Sequence, residues 1–399
     1  MFIKEIKPRV ILNSRGEKTI EIYLETYNGK FSASAPTGKS KGKHEVLSYN
    51  KRGATHSLRI LKLLAEKWKH KNFLLKNSDD IKIVESEIRK FEHEFGRLGG
   101  NFVYALEAVI LKAAAGEKNK EVWEFFPGRK KIPMPVGNAI GGGLHASGKK
   151  PDFQEFLFIP NEKTFSRAVT KMIRAYDMIK TILKKKEKKW IIKRNDEGAW
   201  ETRLTNEEVL ECMKEVAEKF KLRIGIDIAA SSFYKNGNYN YKNKELVRDK
   251  NEQIDFIERL IGKYKIFYIE DALQEEDFSG FAELNDDASE RVLIVGDDLT
   301  VTSLARVRRA VSGKCVNAVI IKPNQIGSLV EAGKVVEFCK KNKIKTILSH
   351  RSGETMDNIL GDLAVGWGVD FVKFGIHGRE RLVKLARIMK VEKMLAQSR

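Results

Sequence analysis

IFYIE (266–270), VLIVGDD (292–298), NAVIIK (317–322) and KTILSH (345–350) decide the fold. Each is a short run of apolar or β-branched residues that leads into an ionisable side chain, at Glu270, Asp297, Lys322 and His350. RIGID (223–227) precedes them and ends in Asp227; FVK (371–373) follows them and ends in Lys373. From Glu270 onward the endings recur roughly every 25 residues, about one strand plus one helix. That rhythm predicts a βα barrel. Ionisable groups at the C-terminal ends of successive barrel strands converge on one mouth, where barrel enzymes do their chemistry, whereas the same residues in scattered loops never meet. The predicted mouth holds three carboxylates, two lysines and a histidine.

A single barrel takes roughly 250 residues. The chain has 399, so a second domain is expected, and with 42% hydrophobic residues it has the material for a sizeable core. No apolar stretch approaches the ~20 residues that span a bilayer. The first residues, MFIKEIKPRV, lack the apolar block of a secretion signal. The expectation is a cytoplasmic protein without a membrane partner. Cys212, Cys315 and Cys339 are far apart and follow no metal spacing, so they are expected to pack as small apolar residues.

The formal net charge is +20, and basic surfaces bind nucleic acid by releasing counterions from phosphates. Here the basic residues are interleaved with 54 acidic ones along the whole chain. The densest run, KKKEKKW (184–190), ends an amphipathic helical pattern and reads as a solvated face. No recognisable nucleic-acid module accompanies the charge. Abundant Lys and Glu also fit adaptation to heat.

The chain divides near residue 133. Residues 1–132 read as an α+β amino-terminal domain, and residues 133–399 as the α/β barrel. IKPRVILNSRG and TIEIYLETYNGKFSASAP form a β-meander with Asn28-Gly29 as its hairpin turn. Helix-period apolar positions follow over 56–70, 78–96 and 101–115. IPMPV (132–136), with two prolines, is expected to be a linker.

Two loops carry chemistry. PTGKSKGKHE (36–45) combines glycines, hydroxyls and lysines in a pattern suited to a mobile cationic flap over an anionic ligand. It equally describes an ordinary polar connection. GNAIGGGLHASGKKPDFQEF (137–156) reads as a glycine-rich loop that places His145 after three glycines and ends an apolar-flanked segment at Gln154 and Glu155. Taken singly, such a histidine is more often structural and such a glutamate solvated.

SHRSGET (349–355), GDDLT (296–300), IKPNQIGS (321–328) and IEDAL (269–273) together resemble enolase, which interconverts 2-phosphoglycerate and phosphoenolpyruvate. The likeness extends over nearly the whole chain, through ILNSRG, APTGKSKG, RLGGN (97–101), NDEG, IDIAAS and RERLVKL. It implies an enolase-type barrel behind an α+β domain.

The resemblance also implies roles. Removing a proton alpha to a carboxylate adds negative charge beside an existing one, so divalent cations must offset it. Asp227, Glu270 and Asp297 match the family's metal ligands, and all-carboxylate ligation with room for water suits Mg²⁺. Lys322 matches the base, with nearby cations expected to lower its pKa and leave it neutral; a Lys or His base beside Mg²⁺ is the general pattern of the enolase superfamily. Glu197 matches the acid that protonates the departing hydroxyl, paired with Glu155. Lys373 would face the substrate carboxylate, with Gln154 near it. Arg351 and Ser352 match the phosphate contacts, and His145 and His350 match active-site histidines. Ser40 matches a ligand of a second Mg²⁺ that arrives with substrate, while Lys39 and Lys41 add cationic pull in the flap.

Departures from the family pattern are Asn13 before SRG, SYNKRG (48–53) after the flap, Ala199 in NDEGAW and Pro323 directly after the base. The reading is a phosphopyruvate hydratase acting on a small phosphorylated three-carbon acid, and a homo-oligomer, dimer or octamer, by family likeness, with Arg15 in the segment implicated. Two alternatives stand beside it. One is an enolase-like paralogue with another substrate or low activity; the other is a basic protein binding RNA or an acidic partner on the same scaffold. Salt-dependent retention on heparin separates the last from the others.

Overall fold

The computed structural model describes residues 1–39, 42–146, 148–288 and 292–397. The chain opens with an antiparallel meander, β1 (Ile3–Leu12), β2 (Lys18–Thr26) and β3 (Lys30–Ser34). One face of it buries Ile20, Ile22 and Leu24 beneath helices α1 (Ala54–Trp68), α2 (Ile81–Phe95) and α3 (Gly100–Gly116). α3 is apolar almost all round because it is covered on both sides, by the meander and by the barrel.

The barrel strands are β4 (Met134–Gly141), β5 (Glu155–Pro160), β7 (Leu222–Asp227), β11 (Ile266–Glu270), β12 (Leu293–Gly296), β13 (Ala318–Ile321), β14 (Lys345–Ser349) and β15 (Phe371–Lys373). They pair in that order, and β15 returns to β4, closing the ring. The short β6 (Trp200–Glu201) lies beside β4. A small side sheet, β8 (Tyr234–Lys235), β9 (Asn238–Tyr241) and β10 (Leu246–Arg248), decorates the region after β7. Helices α4 (Phe165–Lys186), α5 (Asn206–Phe220), α6 (Lys250–Tyr264), α7 (Phe278–Asp287), α8 (Leu304–Ser312), α9 (Pro323–Ile326), α10 (Leu329–Lys341), α11 (Ile359–Trp367) and α12 (Arg379–Gln397) complete the chain. Capping boxes at Thr205/Glu208 and Asp249/Glu252 start α5 and α6, satisfying backbone N–H groups that a helix leaves unpaired. The three cysteines are buried and unpaired.

The meander, the three first-domain helices and the six strand endings match the sequence reading. Two expectations are corrected. IPMPV is not a linker, since Met134–Val136 begin β4 and pair with Phe371–Lys373; Pro135 is tolerated at a strand start. The 137–156 segment is a loop only in its middle, because β4 continues through Gly141 and Glu155 begins a strand rather than ending one. β5 runs antiparallel to both neighbours. Its N-terminal end therefore lies at the same mouth as the C-terminal ends of the parallel strands, and Glu155 pairs in register with Asp227.

Candidate active site

Parallel strands that stop in register put their last residues on one ring. Asp227, Glu270 and Lys373 end β7, β11 and β15, while Asp297, Lys322 and His350 each come one residue after β12, β13 and β14. All but Lys322 are buried below a tenth of their surface. The six strand-end residues are thus gathered at one mouth, as expected.

Lys373 is the centre of the acidic side. Its Nζ donates to Asp227 Oδ2 at 2.9 Å and Glu270 Oε2 at 2.8 Å, and pairs with Glu155 Oε2 at 2.6 Å. Burial works against its charge, but those carboxylates outweigh burial and hold its pKa well above the ordinary lysine value. Burial comes first and neighbouring carboxylates second in pushing both acids up, Glu155 and Asp297 acting on Asp227, and Asp227 and Asp297 on Glu270. Gln154 Nε2 donates to Asp227 Oδ2 at 3.3 Å. Across the mouth, Lys322 Nζ donates to Asp297 Oδ2. Burial lowers the Lys322 pKa, yet the Asp297 charge prevails over Arg351 and Lys373 and leaves it raised. In the chain alone the Asp297 carboxylate therefore outweighs the side-chain cations around Lys322.

A second set faces β4 and β5. Asn195 Oδ1 accepts from the backbone N–H groups of Glu197 and Ala199, fixing the 195–199 turn. Gly198 has φ +81°, and a Cβ there would lie 2.8 Å from His377 O, so the turn requires glycine. Ala199 fits, fully buried. Asn138 Nδ2 donates to Glu155 Oε1 at 2.9 Å and Glu197 Oε2 at 3.4 Å, bridging the two carboxyls. Burial pushes Glu155 up to about 7; His145 helps hold Glu197 down against its own burial. The two shifts run in opposite directions, so Glu155 is the member of the pair that takes up a proton more readily. His145 Nδ1 lies 3.1 Å from Asp196 Oδ1 and Nε2 lies 3.6 Å from Glu197 Oε1. Burial lowers its pKa, but Glu197 and Asp196 outweigh burial and raise it to about 9, making it an imidazolium at neutral pH. His350 is the opposite case. Burial, then Arg381 and Lys373, hold it well below the usual range, so it is neutral.

The third set is cationic. Arg351 Nη2 donates to both carboxylate oxygens of Glu45, and Nη1 donates to Asn324 Oδ1 at 3.3 Å. Ser352 Oγ accepts from Lys39 N at 2.9 Å and Arg15 Nη1 at 3.1 Å. Arg381, on α12, braces this loop by donating to Ser352 O and Asp196 O. Gly38 and Lys39, in the 36–45 loop, lie against the mouth. Gly38 packs so closely on Arg351 that a Cβ would come within 1.9 Å of Nη2, so glycine lets the loop settle there. Ser40 and Lys41 lie outside the described residues.

Sequence reasoning misses Glu45, Asp196, Asn138 and Arg381. Asp196 stands directly before Glu197, within NDEG, and for it adjacency is the available signal.

The donor set fits a hard divalent cation. Asp227, Glu270 and Asp297 offer only oxygen, and Glu270 Oε1 is buried without a hydrogen-bond partner among the described residues. Among the described residues, the trio whose ligand atoms lie within 4.8 Å of one another is instead Asp271, Asp297 and Asp298. Asp271, however, accepts from the backbone N–H of Asp297 and of Asp298, which makes it a brace for that turn.

A closed barrel whose mouth gathers buried carboxylates, ion-paired lysines, a neighbouring pair of glutamates and an arginine beside a serine has the side chains of a barrel lyase. Family models match on both domains: Enolase, N-terminal domain, over residues 3–126, and Enolase, C-terminal TIM barrel domain, over residues 129–399. The enolase of Methanosphaera stadtmanae is 36% identical over 98% of this chain and 97% of its own length. That of Thermoplasma acidophilum is 37% identical over 98% of each chain, and that of Methanothermobacter thermautotrophicus 34% over 100% of this chain and 98% of its own. The chain belongs to the enolase family.

Proposed function

We propose that the protein is a Mg²⁺-dependent phosphopyruvate hydratase that interconverts 2-phosphoglycerate and phosphoenolpyruvate. The observation that carries this reading is the placement of base and acid. In the ring order, β13, which leads to Lys322, stands diametrically opposite β5, which carries Glu155. A substrate between them has its alpha proton toward Lys322 and its leaving hydroxyl toward the Glu155–Glu197 pair. Lys322 takes the C2 proton; the carboxyl pair gives a proton to the C3 hydroxyl, the C3–O bond breaks, C2=C3 forms and water departs. Before accepting a proton Lys322 must give one up, which its raised pKa opposes until cationic charge at the mouth offsets Asp297.

Asp227, Glu270 and Asp297 would hold the magnesium, with a second ion arriving with substrate and Ser40 among its ligands. Bound there, magnesium neutralises the charge that develops on the substrate carboxylate. Arg351 and Ser352 orient the phosphate, Arg through its paired N–H donors. Gln154 and Lys373 face the carboxylate, and His145 and His350 complete the walls. Residues 1–132 act as a capping domain that brings the 36–45 flap over a barrel of residues 133–399. We also read the protein as a cytoplasmic homo-oligomer, dimer or octamer; no helix among the described residues is long and apolar enough to cross a membrane.

The test is ultraviolet absorbance during incubation with 2-phosphoglycerate and Mg²⁺, beside an EDTA control and Lys322→Ala. Metal-dependent phosphoenolpyruvate formation lost in the variant is the expected result. A folded, metal-replete protein without activity would sink the assignment in favour of a paralogue with another substrate.

A further inference from the structure

Away from the barrel mouth, an apolar cleft of about 750 Å³ opens between the first domain and the barrel. Val46, Leu47 and Tyr49, on the segment that leaves the flap, form one wall; Phe95 of α2, Val103 of α3 and Ile326 of α9 form the others. The volume lies within the range of small-ligand sites, about 300–1,000 Å³. Leu47 and Phe95 are exposed, so the apolar lining is open to solvent.

Its rim is cationic. Lys51, Arg52 and Arg97 line it, with His56 beside them and Arg89 paired to Glu92. Two acids also line it, but both are already engaged. Glu92 accepts from Arg89 Nη1 at 2.9 Å and Leu98 N at 2.8 Å, and Glu331 pairs with Lys334 at 2.6 Å. Among the described residues, Lys51, Arg52 and His56 have no carboxylate within ion-pair distance, and Arg97 approaches Glu92 only to 3.9 Å. An apolar hollow with surplus positive charge at its lip complements a ligand with an apolar ring body and one anionic group.

The walls are fixed by backbone. Val46 N donates to Gln325 O at 3.0 Å, and Gly100 N to Leu47 O at 2.8 Å. A Cβ on Gly99 would lie 2.4 Å from Tyr49 Cα, so the segment and the start of α3 are in direct contact. A preformed wall spares a ligand the cost of ordering it.

We propose that this cleft is a second ligand site, separate from the barrel mouth, that binds an amphipathic organic anion. The lip cations hold the anionic group, and Leu47, Phe95 and Val103 receive the ring body. None of these residues belongs to the catalytic machinery, so the site stands whether or not the proposed reaction does.

The test uses 8-anilinonaphthalene-1-sulfonate as the anionic probe and N-phenyl-1-naphthylamine, which lacks the sulfonate, as the uncharged one. Both are titrated calorimetrically and by fluorescence into the full chain, into the exposed double variant Lys51→Glu/Arg52→Glu, and into Phe95→Ala. The expected result is one saturable sulfonate site per chain, weakened by about tenfold or more on charge reversal, the effect of losing one charge-assisted contact. The uncharged probe keeps its affinity in the charge-reversed protein, which also shows that the cleft is intact, and Phe95→Ala weakens both probes. Sulfonate binding unchanged by charge reversal, or spread over several sites per chain, would overturn the proposal.

Discussion

Arg351 Nη2 lies 3.0 Å from each carboxylate oxygen of Glu45, although the two residues are 306 positions apart in the chain. Glu45 Oε1 also accepts from Gly42 N and Gln325 Nε2, both at 3.2 Å. One carboxylate thus ties the backbone at Gly42, the Gln325 side chain after Lys322 and the Arg351 guanidinium into a single arrangement.

Glu45→Ala removes the acceptor that aims Arg351 and leaves a buried guanidinium under-partnered, a loss of about 2–3 kcal/mol for a charged hydrogen bond. The KM for 2-phosphoglycerate is expected to rise by about 30- to 100-fold while kcat changes far less. Steady-state kinetics checks this; an unchanged KM would show that Glu45 does not position the arginine.

Lys322→Ala deletes the group assigned to proton removal. Positioned bases contribute about 100- to 10,000-fold, and kcat is expected to fall by that amount with the circular dichroism spectrum unchanged. Exchange of the C2 proton of 2-phosphoglycerate with solvent deuterium should disappear as well. Exchange that persists in the variant would assign the base elsewhere.

Magnesium that binds only the folded chain stabilises it, by about 2.7 kcal/mol at a hundredfold excess over Kd. Saturating Mg²⁺ is expected to raise the Tm of the wild type, and EDTA to reverse the rise. Glu270→Gln removes a carboxylate whose charge burial and Asp227 already disfavour, so its Tm without added metal should hold while the Mg²⁺-dependent rise shrinks. A full rise in the variant would exclude Glu270 from the metal site.

Asp196 holds His145 in its protonated form together with Glu197. In Asp196→Asn the imidazole loses one of the three nearby carboxylates, Glu197, Asp196 and Glu155, that overcome its burial, and its pKa should fall from about 9. An NMR titration of the His145 ring nitrogens reads this directly. No change on substitution would mean that Glu197 alone maintains the imidazolium.

Glu107 of α3 is buried, and burial followed by the charge of Glu85 lifts its pKa from 4.5 to about 8. A carboxyl with a raised pKa in the folded state favours folding when protonated. Its contribution is full below the unfolded value and is lost as pH rises through the folded one. Denaturant stability is expected to decline from about pH 5 to about pH 8, and Glu107→Gln should flatten that decline. An equal slope in the variant would place the titration on another group.

The barrel is legible in the sequence because buried strands carry continuous apolar runs, and a polar residue at the end of each run marks the mouth. Asp227, Glu270, Asp297, Lys322, His350 and Lys373 can be picked out on that basis. The direction of β5 cannot. FQEFLFIP reads the same whichever way the strand runs, and only its pairing with Asp227 on β7 shows that Glu155 enters the mouth from the opposite end. Pro135 conceals β4, because proline ordinarily argues against a strand. Glu45, Asn138 and Arg381 are invisible for a further reason: their partners are remote in sequence, and no local period records a contact that the fold creates. The pairing of Lys322 with Asp297 eludes sequence reasoning in the same way, because the two are 25 residues apart.

Lys373 contacts Glu155, Asp227 and Glu270 together. The negative charge of the mouth therefore has a counter-ion built into the chain, one that arrives with the last barrel strand. Closing the ring and neutralising its acids become the same event. The acids of the mouth thus carry their own counter-charge, fastened to the strand that completes the barrel, and need no added ion to offset them.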